Sequence, residues 1–167
     1  MIKILKTFAE RLIPILVYSF PFLEINFYFA PKSCLMGEAD IGLKYIYIKY
    51  LLQFVRFYET NSLFLFILMV GVFITCSKGY FRLTKFVRFN AIQAILLSIL
   101  CSCIGQVYFL LPTMLYESNF GVVFAVFFFL SLMALTFYSI IQIMFGRYPL
   151  IPLLSNAAKI QVQRGNY

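Results

Sequence analysis

Histidine and tryptophan are absent from this chain, and acids are scarce, six against fourteen cations. Without histidine the commonest general base and transition-metal ligand is gone. The four cysteines, Cys34, Cys76, Cys101 and Cys103, offer no substitute. Cys101 and Cys103 stand two apart, so on a helix they point in different directions and form neither a CxxC redox pair nor a chelate. They read as small apolar residues of helix interfaces. No glycine-rich phosphate loop, Ser-His-Asp set or pair of catalytic carboxylates can be assembled. Neither an enzyme nor a bound metal or cofactor is expected.

Charge of either sign is thin at 12%, whereas 63% of the residues are hydrophobic and 20% aromatic, with a mean hydropathy of +0.92. A soluble domain cannot hide that much apolar surface, and a bilayer removes the need to. The net charge of +8 sits at the ends of apolar runs rather than on one polar face. It reads as orientation and attraction to anionic lipid, not as nucleic-acid binding. A length of 167 residues leaves room for one membrane domain, 1–167.

Four apolar runs can be drawn, at about 12–29, 61–77, 89–111 and 120–145. The first is interrupted by Pro14 and Pro21 and carries Glu24; the last is ended by Gly146 and Pro149. A spanning helix needs ~20 apolar residues, which runs three and four supply and runs one and two approach. Charge supports four spans. The N-terminus, the 78–88 loop and the C-terminus then share one side and hold ten cations: Lys3, Lys6, Arg11, Lys78, Arg82, Lys85, Arg88, Arg147, Lys159 and Arg164. The other side holds four, Lys32, Lys44, Lys49 and Arg56. Cationic loops stay on the side of synthesis, so both termini are expected there.

Between the first two runs, Lys49, Gln53, Arg56 and Thr60 recur at helical steps in a stretch otherwise rich in Tyr, Ile, Leu and Phe. An interfacial amphipathic helix over about 41–58 fits, since tyrosine favours headgroup depth. The expected architecture is an all-α integral membrane protein, a four-transmembrane-helix bundle with that helix between spans one and two. The basic start imitates a signal peptide, but no small-x-small cleavage site follows and prolines break the apolar core, so the first span is expected to be retained.

Polar residues inside the runs are the candidate functional positions: Glu24, Asn90, Gln93 and Gln142, with Arg88 at the mouth of span three, free to snorkel to the interface. They either line a hydrated path or hold helices together by hydrogen bonds. Span three also carries a stripe of small residues, Ala91, Ala94, Ser98, Cys101 and Gly105, at steps of three and four. Such a face lets helices approach closely, which makes span three the expected packing centre. Span four offers Ser131, Thr136, Ser139 and Gly146 less regularly.

Three segments carry a resemblance. FVRFNAIQAILLSI at 86–99 resembles the signature of the twenty-kilodalton subunit of the translocon at the inner chloroplast envelope, the Tic-twenty family. ERLIPILVYSFPFLE at 10–24 is similar to that family's opening span, and YSIIQIMFGRYPLIPLLSNAAKIQV at 138–162 to its closing segment. Ser98 and Asn156 depart from it, standing where many relatives are expected to have acids. The resemblance implies a four-helix protein of the plastid inner envelope membrane with both termini in the stroma. It also implies a part in precursor import, with other translocon subunits, precursor polypeptides in transit and membrane lipid as partners. Heavy use of Phe, Ile, Tyr and Lys without Trp points to an AT-rich gene, and together with the lack of a long Ser/Arg-rich extension of the transit-peptide type it favours a plastid-encoded algal form, a cyanobacterial relative being the alternative. Two other readings stay open: a small solute or ion transporter with Glu24 as its coupling acid, and a membrane-embedded assembly factor with no conduit.

Overall fold

The computed structural model describes residues 2–35, 45, 47–79 and 83–164, and among them every regular element is helical. Helix α1 (Ile2–Val17) begins well before the first apolar run and is followed, after a break at Tyr18, by α2 (Ser19–Tyr28). The break has a sequence cause. Pro21 has no N–H to give the carbonyl of Val17, and its ring crowds that carbonyl. The chain tightens locally instead: Tyr18 N donates to Pro14 O and Ile15 O, both at 3.1 Å, and Ser19 Oγ donates to Leu16 O at 2.6 Å.

Two π-helical turns, Pro31–Leu35 and Tyr47–Leu51, precede α3 (Leu52–Thr60). The chain turns at Asn61 into α4 (Ser62–Lys78), so that Tyr47–Thr60 and Ser62–Lys78 meet at 81°. The 41–58 amphipathic reading covers residues 41–44 and 46, which lie outside the described residues, as does Arg82 of the basic loop. Gly79, at φ +72°, ends α4 in the left-handed conformation that glycine takes at least cost.

Thr84 opens α5 (Lys85–Phe109), its hydroxyl accepting from Val87 N. A single turn, α6 (Thr113–Tyr116), leads to α7 (Asn119–Met144), capped by Ser118 and ended by Gly146 at φ +72°. The chain finishes with α8 (Leu154–Arg164). By length and composition α5 and α7 can cross a membrane, and the bent pair Tyr47–Thr60 with Ser62–Lys78 is a third candidate.

Helix α5 is the hub, with α1, α2, α4 and α8 all packed on it. The five small residues Ala91, Ala94, Ser98, Cys101 and Gly105 are all buried there. At Gly105 the reason is direct, because a Cβ would run into the ring of Tyr28 from α2. Helix α7 lies on α1 and α2, and Tyr108 of α5 stacks on its Phe124 at 5.5 Å. Its buried face is Gly121, Ala125, Leu132, Thr136, Ser139 and Ile143, while Phe127, Leu130 and Phe137 are exposed. Ser131 is half-buried and Gly146 exposed. Helix α8 docks on α4 and α5 through Ser155, Ala158 and Val162, one side of its turns.

Candidate functional site

Two polar clusters lie at opposite ends of α5. From Arg88 to Ser102 the helix rises about 21 Å.

The first cluster gathers around Arg88. Its side chain is 4% exposed, so it does not snorkel. Nε donates to Cys76 O at 2.7 Å and Nη2 to Ser77 O at 2.9 Å, both in the last turn of α4, and Nη2 also reaches Val162 O of α8 at 3.3 Å. The last carbonyls of a helix have no partner within it and carry the negative end of the helix dipole. A guanidinium, with five donors in a fixed fork, meets several of them at once. Gln161 Nε2 donates to Ser77 Oγ at 2.6 Å, so α8 is tied to α4 directly by this bond and indirectly through Arg88 of α5. Arg11 repeats the device on α7, donating from Nη1 to Met144 O at 2.9 Å beside Gly146. Arg88 and Arg11 therefore both serve as helix C-caps.

Asn90 and Gln93 sit just inside this cluster, and both are fully buried. Asn90 Nδ2 donates to Phe86 O of its own helix at 2.8 Å, while Gln93 Nε2 donates to Pro149 O at 3.3 Å. Their carbonyl oxygens, Oδ1 and Oε1, are buried without a hydrogen-bond partner among the described residues. Gln142 is half-buried in the last turns of α7, the end that Arg11 caps.

The second cluster gathers around Glu24, 4% exposed. Tyr58 Oη donates to Oε1 at 3.2 Å and Ser102 Oγ to Oε2 at 2.5 Å. Ser98, one turn back on α5, is buried beside the same carboxylate. Gln106 Nε2, one turn on, donates to Tyr28 Oη at 3.2 Å. Glu24, Tyr28, Tyr58, Ser102 and Gln106 line a cavity of about 470 Å³ between α2, α3, α4 and α5, with Ser62, Phe66, Met69, Ile99 and Cys103 on its walls. Among the described residues no three His, Cys, Asp or Glu side chains converge to hold a metal.

The sequence-derived polar set is thus divided. Arg88, Asn90 and Gln93 come together at one end of α5, and Glu24 stands with Ser98 at the other. Tyr58, Ser102, Gln106 and Arg11 went unread as partners. A signal for two of them was present: Ser98, Ser102 and Gln106 recur every fourth residue and so share one helical face.

Comparison with known proteins places residues 7–158 in match with the family described as chloroplast import apparatus Tic20-like. A Tic20 family protein Ycf60 from Gracilaria tenuistipitata var. liui is 30% identical over 159 residues, covering 93% of this chain and 76% of the relative. The protein of the same name from Cyanidioschyzon merolae is 30% identical over 159 residues, 95% of this chain and 78% of that one. A Tic20 family protein from a Synechocystis strain is 29% identical over 160 residues, 92% and 93% of the two chains.

Proposed function

The chain belongs to the Tic20 family, and on that premise we propose that it is a membrane subunit of the plastid inner-envelope translocon, helping precursor proteins cross. The observation that carries this is the family match over residues 7–158, which takes in all of α2 to α7 and the 86–99 motif of α5. The import-type membrane character follows from the family; the inner-envelope location, the translocon role and the partners are the reading offered here.

Four spans, with both termini in the stroma, complete it. The ten-to-four division of cations supports that orientation. The 81° bend at Asn61 suits a helix that lies along the interface before its successor enters the bilayer. Exposed Phe54 and Phe57 on α3 would face acyl chains and headgroups there. The α1–α2 pair would be the first span, broken at Tyr18.

A single chain of this kind has no room for a polypeptide inside it. The centre of the bundle is filled by α5, whose Asn90 and Gln93 are fully buried. Four-helix bundles generally fill their interiors with side chains. The path would therefore run between this chain and its neighbours in a complex, along helix faces exposed in the isolated subunit.

The test is photocrosslinking in intact plastids. Photoreactive residues at exposed positions of α4, α5 and α7 should capture a precursor arrested in transit. Import-competent complexes that give no capture from any of the three helices would overturn the reading. Reporters after residue 167 and near Glu117 should lie on opposite sides of the membrane, and finding them on one side would end the four-span arrangement.

A further inference from the structure

The cavity beside Glu24 carries an inference that needs α4 and α5 to cross the bilayer but does not need the import reading. Glu24 is nearly buried, and among the described residues the groups that meet its carboxylate are the hydroxyls of Ser102, Ser98 and Tyr58. Each of its oxygens accepts one hydrogen bond, from Tyr58 and from Ser102. A carboxylate has about four acceptor positions, and with the Ser98 hydroxyl also beside it about one remains to be filled. Glu24 lines a cavity of about 470 Å³, a size usual for a site that takes a small molecule.

Depth and opening identify what can reach it. Glu24 lies in the last turns of α2, Gln106 in the last turn of α5, and Ser62 is the first residue of α4. At 1.5 Å per residue these groups stand within roughly 6 Å of their helix ends, which is headgroup and glycerol depth in a bilayer. The rim is apolar: Leu63, Phe66 and Ile99 line the cavity and are themselves largely exposed. On helices that cross a bilayer, such residues face acyl chains. The cavity is mostly apolar, holds the polar groups of Glu24, Ser102, Tyr58 and Gln106 in one place, and opens sideways between those exposed apolar residues.

We propose that this cleft binds a membrane lipid with a neutral, hydroxyl-bearing headgroup. One headgroup hydroxyl donates to the unfilled position of Glu24, and others pair with the Gln106 amide and Ser62. The carbon face of the headgroup lies against the rings of Tyr28 and Tyr58, and the acyl chains follow Phe66 and Met69. Hydroxyls already satisfy Glu24 from the protein side, so further hydroxyls repeat a chemistry the site uses. A headgroup ending in phosphate meets repulsion from the carboxylate. A choline headgroup has no hydrogen-bond donor to offer it.

Native mass spectrometry of the purified full chain, offered three lipids with identical acyl chains, tests this. The probes carry a monohexosyl, a choline or an ethanolamine headgroup. The monohexosyl lipid should be retained about tenfold over the choline lipid, the discrimination expected when a buried acceptor is matched rather than left unfilled. That preference should vanish in Glu24→Leu. It should vanish equally in Cys103→Trp, which fills the cleft from an exposed wall position and leaves the Glu24 hydrogen bonds in place. Bound monohexosyl lipid should also slow maleimide labelling of native Cys103. Equal retention of the choline lipid, or a preference that survives Cys103→Trp, would overturn the proposal. Retention of the ethanolamine lipid above the monohexosyl lipid would overturn it too, making the cleft a cation site.

Discussion

At its N-terminal end α5 buries a cation and closes protein over it; at its C-terminal end it helps bury a carboxylate and leaves a cleft open beside it. Both charges are 4% exposed, so both have left water, but they are compensated differently. Arg88 is met by backbone carbonyls of α4 and α8, acceptors fixed by the helices that carry them. Glu24 is met by the hydroxyls of Ser102 and Tyr58, donors that rotate. Fixed partners hold elements in place. Rotating partners with spare capacity beside a cavity leave a site that can still accept something. The difference separates a structural end of the bundle from a receptive one.

The largest effect that would sharpen this contrast is expected at Arg88. Arg88→Ala leaves the last carbonyls of α4 without their donor and removes one of the two ties to α8. Hydrogen bonds to a charged group are worth about 1.5–3 kcal/mol each, so a loss of at least ~3 kcal/mol is expected. Arg88→Lys should recover little, because one ammonium cannot reproduce a fork that spans two elements. The readout is protein yield together with protease access to α8. Normal yield of Arg88→Ala with α8 still protected would show that the closed end is not held by this residue.

How far this contrast was legible in the sequence follows from the physics of each piece. Long apolar runs and their punctuation were readable: the run at about 120–145, closed by Gly146, lies over α7 at Asn119–Met144, whose Ser118 cap only the structure shows. Lys85 and Arg88 looked like loop charges because cations near a membrane usually stay wet. Here they form the first turn of α5, and Arg88 turns inward because the end of α4 supplies carbonyls. That partner is remote in sequence and has no local signature. Helix α8 has no counterpart in the sequence reading because Gly146 and Pro149 mark an end. Its periodicity was nonetheless present in Ile151, Ser155, Ala158 and Val162, at steps of four, three and four. The small-residue face of α5 could be read from spacing alone. The identity of its closest contact, Tyr28 on Gly105, could not.

A second, smaller effect is expected along the face that joins the two ends. Gly105→Leu drives a side chain into the Tyr28 ring and should force α2 off α5, at about 1–3 kcal/mol for an overfilled contact. Ala94→Leu, at a fully buried position, should behave similarly. Phe127→Leu, on the exposed face of α7, should stay within about 0.5 kcal/mol. Thermal unfolding in detergent ranks the three. Equal tolerance would remove α5 from the centre of the packing.

Smaller again should be the conservative exchange at the open end. Glu24→Gln keeps size and shape, and the hydroxyls of Ser102 and Tyr58 can turn to accept from its amide. A stability change of about 1 kcal/mol or less is expected, against the large loss for Arg88→Lys. If the two conservative exchanges cost the same in thermal unfolding, the distinction between fixed and rotating partners falls.

The smallest effect is expected at Gln93, just inside the closed end. Gln93→Leu removes one long hydrogen bond to Pro149 O, but that carbonyl also accepts from Ser155 Oγ at 3.2 Å and stays satisfied. The substitution also removes a buried Oε1 that has no partner among the described residues. Loss of a marginal bond and relief of an unpaired acceptor oppose each other, so the change should be under about 1 kcal/mol. Cysteines placed at 90 and 93 extend the test to hydration. In the isolated chain they should label as slowly as native Cys101, which is buried, and far more slowly than Cys103, which is exposed. Labelling at 90 and 93 that rises only when a precursor is engaged would mean that this end of α5 opens in the assembled complex and that its amides line a polar path. Rapid labelling in the isolated chain would instead show that the closed end is wet to begin with, and the contrast between the two ends of α5 would not stand.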